Sequence, residues 1–326
     1  MTTVGTAPLL FRPDPDWPRV PAEIALNEAV GVATDSSARA FVFHRGEPPV
    51  LIFEADGTFV RGWGDGQFVR PHGIWIAPDD TLYLVDDRGH SVRQYSRDGE
   101  LLRRIGPEGK PSQTGIKNGD LRTITHGGPP YNLPTNLVTS STGELYVTDG
   151  YGNCRVHRFS ADGELIRSLG APGQREGEFF LPHGIGIDAD DRLYVADREN
   201  SRIQVFSPDG EFLDQWTDVV RPCEAFIADG LVYVAEVGMR VGMFPWMTRD
   251  LSQSGGRVSV FDRQGKLLAR WGGGDNPDSP ADFYAPHDIW VDRRGDVYVA
   301  EVKVAAAVSV GDDTSRLPTL RKFVRQ

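Results

Sequence analysis

Short segments in which apolar and polar residues alternate recur along the chain, and turns rich in aspartate and glycine separate them. Residues 70–86 form one such unit, and residues 181–197 repeat its pattern. A third and a fourth segment follow in both cases, joined by Asp98-Gly99 in the first and by Asp209-Gly210 in the second. Alternation with a period of two residues, bounded by Asp-Gly turns, predicts antiparallel β-hairpins.

The repeat occurs six times, and the pattern of one copy predicts four short strands. The copies align on an aromatic residue of the second strand, which is Phe41, Tyr83, Tyr146, Tyr194, Tyr233 or Tyr298. Four-stranded units repeated around an axis are the blades of a propeller. The sequence therefore predicts an all-β fold, a six-bladed β-propeller that takes up residues 1–326 as a single domain.

The last copy of the repeat lacks its fourth strand. Its third strand is predicted at residues 320–324, and the sequence ends shortly afterwards at Gln326. We therefore expect the amino-terminal segment, residues 9–12, to supply the outer strand of the last blade.

Three insertions interrupt the repeat, near residues 107–130, 238–256 and 304–317. Long insertions in compact repeats are often lids over functional sites. The second insertion carries an apolar cluster formed by Met239, Met243, Phe244, Pro245, Trp246 and Met247. This cluster suits the covering of an organic ligand and equally suits packing on a neighbouring blade or a second subunit. The sequence does not predict an oligomeric state.

Composition narrows the classes of partner. The formal net charge is -11, and a phosphate-binding surface needs a basic field, so we expect no nucleic-acid partner. No apolar run is long enough to span a bilayer, and we expect no membrane role. The first residues lack the pattern of a signal peptide. Two cysteines, Cys154 and Cys223, cannot build a disulfide framework, and together these features predict a cytoplasmic protein.

The first residue of each innermost strand, which we call the lead position, is expected to face the propeller axis near one mouth of the channel. The lead positions are occupied by Val30, His72, Thr135, His183, Cys223 and His287. Alternate blades are related by roughly a third of a turn, so the three histidines are expected to converge on one point. Three neutral imidazoles with coordination positions left open are typical of a catalytic zinc site.

A single histidine before glycine is more often a turn residue. His90, in Gly89-His90-Ser91, is predicted at the start of a third strand, where we expect a structural role. It is the spacing of histidine at every second blade that favours a metal. Whether Cys223 also reaches that metal is not decided by the sequence.

The second strand of each blade returns to the same mouth. The residues just beyond its end are Arg45, Asp87, Gly150, Arg198, Val237 and Val302. Arg45 and Arg198 come from opposite sides of the predicted ring and suit a small-molecule substrate that carries a carboxylate. Tyr151, next to Gly150, is a candidate general base beside the metal. The alternative is that the arginines only pair with blade carboxylates such as Asp149 or Glu199.

Several stretches around these residues resemble the peptidylamidoglycolate lyase family, also called peptidyl-α-hydroxyglycine α-amidating lyases, which are NHL-repeat propellers. The stretches are Phe43-His44-Arg45-Gly46, Pro71-His72-Gly73, residues 149–156, Pro182-His183-Gly184, residues 196–204 and Pro286-His287-Asp288. They spread over nearly the whole chain. Where secreted members of the family have a cysteine after the tyrosine, this chain has Gly152.

The resemblance implies a set of site residues. It implies zinc, or another divalent transition metal, on His72, His183 and His287. It implies Tyr151 as the general base and Arg45 and Arg198 as substrate ligands. It also implies a structural calcium ion held by the Asp288 carboxylate and by backbone carbonyls, which we place at Ile74 and Val32, and oxygen ligands of this kind suit a hard cation.

The reaction implied by the resemblance is cleavage of the C–N bond of a carbinolamide, an α-hydroxyglycine-like compound, to an amide and an oxo acid. We expect a small carbinolamide rather than a peptide as the substrate. Two alternatives stay open. One is a metal-dependent propeller hydrolase of the lactonase or esterase kind, and the other is a non-catalytic NHL interaction module.

Overall fold

The computed structural model describes residues 2–239, 255–274, 276–308 and 311–326. The chain divides into two compact units, unit 1 with residues 1–65 and 218–326, and unit 2 with residues 66–217. Most of the apolar cluster predicted in the second insertion, residues 243–247, lies outside the described residues, so its role stays a prediction.

The amino-terminal part of unit 1 contains one complete blade and an outlying hairpin. The hairpin consists of β1 (Val4–Thr6) and β2 (Leu9–Asp14). The blade has the strand order β3 (Ala29–Thr34), β4 (Ala40–His44), β5 (Val50–Phe53) and β6 (Phe59–Trp63).

Unit 2 consists of three antiparallel sheets of four strands each. The first contains β7 (Pro71–Ile76), β8 (Leu82–Asp86), β9 (Ser91–Tyr95) and β10 (Leu101–Ile105). The second contains β11 (Asn136–Thr139), β12 (Leu145–Asp149), β13 (Arg155–Phe159) and β14 (Leu165–Leu169). The third contains β15 (Pro182–Ile187), β16 (Leu193–Asp197), β17 (Arg202–Phe206) and β18 (Phe212–Trp216).

The carboxyl-terminal part of unit 1 adds two further sheets. One contains β19 (Pro222–Ala228), β20 (Leu231–Glu236), β21 (Arg257–Asp262) and β22 (Leu267–Gly272). The other begins with β23 (Pro286–Val291), β24 (Val297–Glu301) and β25 (Leu320–Arg325). The fold is thus a six-bladed β-propeller, as the sequence predicts.

The last blade is completed by the amino terminus. Strand β2 pairs antiparallel with β25, with Phe11 opposite Arg325 and Pro13 opposite Phe323, which confirms the expectation for residues 9–12. Phe11 is fully buried, and its ring centroid lies 5.2 Å from that of Trp271 in the preceding blade of the same unit.

A buried carboxylate at the end of the second strand fixes the start of the first strand in five of the blades. In unit 2, Asp86, Asp149 and Asp197 accept hydrogen bonds from the backbone N–H groups of Val69, Asn132 and Phe180. In unit 1, Glu236 and Glu301 accept from Val220 and Tyr284. In these five blades the loop before the innermost strand is therefore held by a charge-assisted bond.

Two of the insertions contain short helical segments. Residues Leu121–Thr123 form a 3₁₀ turn, and a second 3₁₀ turn follows β16 at Arg198–Asn200. The third insertion begins with the helix α1 (Lys303–Ala307). In the part of the chain that the structure describes, no helix has the length and apolar character needed to cross a membrane.

Removal of residues 2–13 is expected to lower the melting temperature sharply, because β25 then loses its partner strand and Phe11 leaves the core. The single change Phe11→Ala should already lower the free energy of unfolding by about 3–5 kcal/mol. Thermal and urea denaturation followed by circular dichroism measure both effects. Removal of Thr2 and Thr3 alone, which lie before β1, is the matched control, and melting of the longer deletion at the wild-type temperature would contradict the strand exchange.

Candidate metal centre

Irregular strand pairing positions the three lead-position histidines. In the third blade of unit 2, Pro182 pairs with Asp197 and Gly184 with Ala196, so that His183 is an extra residue opposite the partner strand. The same shift occurs at His72, and in unit 1 at His287. Such β-bulges change the direction of a side chain and are common beside active sites.

His72 and His183 lie together in unit 2. Their ring centroids are 4.9 Å apart, and their relative exposures are 1% and 2%. His72 Nδ1 lies 2.7 Å from the carbonyl oxygen of Thr135, the lead position of the next blade. A Cβ added at Gly73 would lie 2.4 Å from that same oxygen, so glycine is required here for the two innermost strands to approach.

His287 has the corresponding environment in unit 1. It is buried, and its Nδ1 lies 2.7 Å from the carbonyl oxygen of Val30, which is again the lead position of the next blade. A neutral imidazole donates its N–H to a carbonyl from one nitrogen and presents a lone pair on the other. Backbone carbonyls therefore fix the ring orientation and tautomer of His72 and His287, as they commonly do for metal ligands.

The three histidines form a group suited to metal binding. One ligand nitrogen from each of His72, His183 and His287 lies within 4.8 Å of the others, and all three residues are buried. Cys223, although it also occupies a lead position, is not part of this group in the described portion of the chain. The donor set of three imidazoles fits zinc or a similar divalent transition metal.

Tyr151 lies against the histidines of unit 2. Its phenol oxygen is 3.1 Å from His183 Nε2, and its ring meets the His72 ring edge to face at a centroid distance of 5.3 Å. The backbone at Gly150 lies close to the backbone of Pro182. A Cβ added at Gly150 would lie 2.3 Å from the carbonyl oxygen of Pro182. The Gly-Tyr sequence thus lets the tyrosine lie directly beside the strand that carries His183.

Arg198 also contacts Tyr151. Its Nη1 donates to the phenol oxygen at 3.2 Å, and its Nε donates to Glu199 at 2.9 Å. Its side chain is only 4% exposed. Arg198 thus makes the pair with Glu199 that the sequence analysis gave as the alternative, and its role as a substrate ligand stays a prediction.

Arg45 lies in unit 1, where its Nη1 pairs with Glu28 at 2.9 Å. The side chains of Arg45 and Glu28 are 16% and 8% exposed. The alternative in the sequence analysis named blade carboxylates such as Asp149 and Glu199 as partners of the arginines, whereas Arg45 pairs with Glu28, which precedes β3. Its role as a substrate ligand stays a prediction.

The residues assigned to calcium are buried. In unit 1 the Asp288 carboxylate accepts hydrogen bonds from the N–H groups of Val32, at 2.8 Å, and Ile289, at 2.9 Å. Burial raises the pKa of Asp288 to about 8. Ile74 is buried on β7 in unit 2, and the carbonyls of Val32 and Ile74 as ligands stay a prediction.

The other histidines have structural surroundings. His90 Nδ1 accepts a hydrogen bond from the Leu133 N–H, as expected for a structural residue. His157 is fully buried and lies 3.1 Å from Asp149 and 2.7 Å from the Ser168 hydroxyl. Because Asp149 is also the carboxylate that anchors Asn132, this arrangement belongs to the blade framework.

One residue beside the site was missed by the sequence reasoning. The guanidinium carbon of Arg70 lies 5.8 Å from the Tyr151 ring centroid. Arg70 precedes Pro71-His72, whereas Leu181 and Ala285 occupy the same place before the other two Pro-His pairs. The arginine at this one place was the sequence feature that could have identified Arg70 as a site residue.

Comparison with known proteins places the chain in a family. A family model described as NHL repeat matches residues 181–206. The human NHL repeat-containing protein 3 is 30% identical over 315 residues, which cover 91% of this chain and 83% of the human protein. The chain belongs to the NHL-repeat family.

This NHL-repeat chain is also similar to lyases. Peptidyl-alpha-hydroxyglycine alpha-amidating lyase 1 of Drosophila melanogaster is 28% identical over 276 residues, which cover 78% of this chain and 47% of the fly protein. Among solved structures, virginiamycin B lyase from Staphylococcus aureus matches with a TM-score of 0.54 and 13% identity, over 85% of this chain and 78% of that chain. At that identity the structural match supports the fold alone.

Loss of one of the three histidines should weaken metal binding. Purified protein dialysed against zinc is expected to hold one ion per chain, and His183→Ala should weaken zinc binding by at least about tenfold because one of three nitrogen ligands is lost. Elemental analysis and competition with a chromogenic chelator measure this. His126→Ala changes an exposed histidine of the same unit and should bind as the wild type does. Equal zinc affinity in the His183 variant would contradict the site.

Proposed function

We propose that the protein is a metal-dependent lyase that cleaves the C–N bond of a carbinolamide to release an amide and an oxo acid. The observation that carries the proposal is the contact of the Tyr151 phenol oxygen with His183, 3.1 Å from Nε2, within the group of three buried histidines. The similarity to amidating lyases supports the same reaction class.

His72, His183 and His287 would hold the metal. When bound there, a zinc ion supplies a Lewis acid that polarises the substrate hydroxyl. The carbonyl acceptors at Thr135 and Val30 keep two of the imidazoles in a fixed orientation.

Tyr151 would transfer the proton. As phenolate it accepts the proton of the carbinolamide hydroxyl, the O–H bonding pair becomes the new C=O bond, and the C–N bond breaks with its pair on nitrogen. The phenol then returns the same proton to the departing amide nitrogen, so that no proton is consumed overall. Arg198 Nη1, 3.2 Å away, holds the phenol oxygen in place, and a general base must lie within hydrogen-bond reach of the proton that it removes.

We infer in addition that a structural calcium ion binds at Asp288. The carboxylate is buried, and no cationic side chain pairs with it among the residues whose structure is described. An isolated buried carboxylate is unfavourable, and a calcium ion would compensate its charge.

Tyr151→Phe is expected to lower kcat for an α-hydroxy-N-acylglycine by about 10²- to 10⁴-fold, because the general base is lost while the ring contacts are kept. Zinc content should stay at the wild-type level. Product formation is followed by mass spectrometry. Full activity in this variant would rule out Tyr151 as the base, and products that contain an added water would indicate a hydrolase instead.

Calcium should stabilise the protein through Asp288. At a concentration one hundred times its Kd, calcium is expected to add about 2–3 kcal/mol to the free energy of unfolding of EGTA-treated protein. Asp288→Asn should abolish this increase, whereas Asp278→Asn, which alters an exposed aspartate of the same unit, should retain it. Calcium-independent melting of the wild type would refute the calcium site.

A further inference from the structure

The charges around Tyr151 in unit 2 are arranged as two ion pairs. Arg198 pairs with Glu199, and Arg70 pairs with Asp87. Both guanidinium groups lie within 6 Å of the Tyr151 ring centroid, at 5.3 Å for Arg198 and 5.8 Å for Arg70. The two arginines differ, however, in how much of each side chain reaches solvent.

Arg198 is almost completely enclosed. Its side chain is 4% exposed, and that of Glu199 is 5% exposed. Because one of its nitrogens donates to the Tyr151 oxygen, it is suited to orient the phenol. An incoming anion would have little surface of this guanidinium to contact.

The side chain of Arg70 is more exposed to solvent than that of Arg198. Its side chain is 27% exposed, whereas Asp87 is fully buried. Arg70 Nε lies 2.7 Å and 2.8 Å from the two oxygens of Asp87, and Nη2 also donates to this carboxylate. The accessible surface of the pair is therefore positive, and the buried aspartate holds the guanidinium in one orientation.

We propose that Arg70, held by Asp87, is the residue that binds the carboxylate of the substrate and of the oxo-acid product, and that Arg198 positions Tyr151. The inference rests on the proposed lyase function and assigns to Arg70 the substrate carboxylate that the sequence analysis expected Arg45 and Arg198 to bind. A guanidinium beside the general base selects a carbinolamide whose hydroxyl-bearing carbon also carries a free carboxylate. Amides and esters of the same acid are then poor substrates.

The proposal is tested with α-hydroxyhippurate as the substrate and hippurate as an unreactive probe. Arg70→Met is expected to raise KM for α-hydroxyhippurate and Kd for hippurate by about 10- to 100-fold, the usual range for loss of a charge-assisted hydrogen bond. The kcat should change much less. For the methyl ester of the substrate, wild type and variant should have similar kcat/KM.

Arg70→Lys keeps a cation beside Asp87, and it provides a second test if the methionine variant does not fold. It should fold as the wild type does and show an intermediate Kd for hippurate, because an ammonium group lacks the bidentate geometry of guanidinium. Arg97→Met is the matched control, since Arg97 pairs with Asp80 in the same blade and should leave both constants unchanged.

The outcomes separate the two proposals. If the wild type is active and Arg70→Met and Arg70→Lys bind hippurate as tightly as it does, the role of Arg70 is refuted and the lyase function stands. If the wild type neither converts carbinolamides nor binds hippurate, the lyase function is refuted, and the inference falls with it.

Discussion

The interaction on which the site depends is the bond between a buried carboxylate at the end of a second strand and the backbone N–H groups just before a first strand. In the blades that carry the histidines, Asp86, Asp197 and Glu301 make this bond. Each bond lies three residues before the histidine, at Val69, Phe180 and Tyr284. A buried carboxylate left without its donors is strongly unfavourable, so the loop cannot move without a large loss of stability.

The bulge at each of the three histidines sets the direction of the side chain on the anchored strand. In a regularly paired strand, successive side chains would point to alternate faces of the sheet through the histidine. The extra residue between Pro182 and Gly184 interrupts this alternation at His183. The carbonyls of Thr135 and Val30 then fix the imidazole rings of His72 and His287. The ligand geometry therefore arises from backbone groups, and this explains why the lead positions of neighbouring blades can vary between Val30 and Thr135 while the acceptor is kept.

Much of the fold and part of the site follow from the sequence alone. Period-two alternation and Asp-Gly turns are local signals, and they predicted the blades, the lead positions and the exchange of residues 9–12 into the last blade. The partners of the arginines were harder to predict, because ion pairs form between loops distant in sequence. Glu28 precedes Arg45 by a complete strand pair, and Asp87 joins Arg70 across β7 and β8. Both pairs are separated by 17 residues and join the same two places of a blade, but apolar alternation does not indicate which charged residues occupy those places.

These ion pairs also determine what each arginine can do. A carboxylate that lies next to an arginine and is itself enclosed, such as Glu199, draws the guanidinium inward, and Arg198 is left to hold the Tyr151 oxygen. A carboxylate buried beneath the arginine, such as Asp87, neutralises its inner edge and leaves 27% of the side chain exposed. Two arginines beside the same tyrosine, one after a second strand and the other before a first strand, thus differ in accessibility. On this basis we propose that one positions the base and the other binds an anion. The difference lies in the exposure of the arginine itself, because Arg198 is as enclosed as Glu199 whereas Arg70 is more exposed than Asp87.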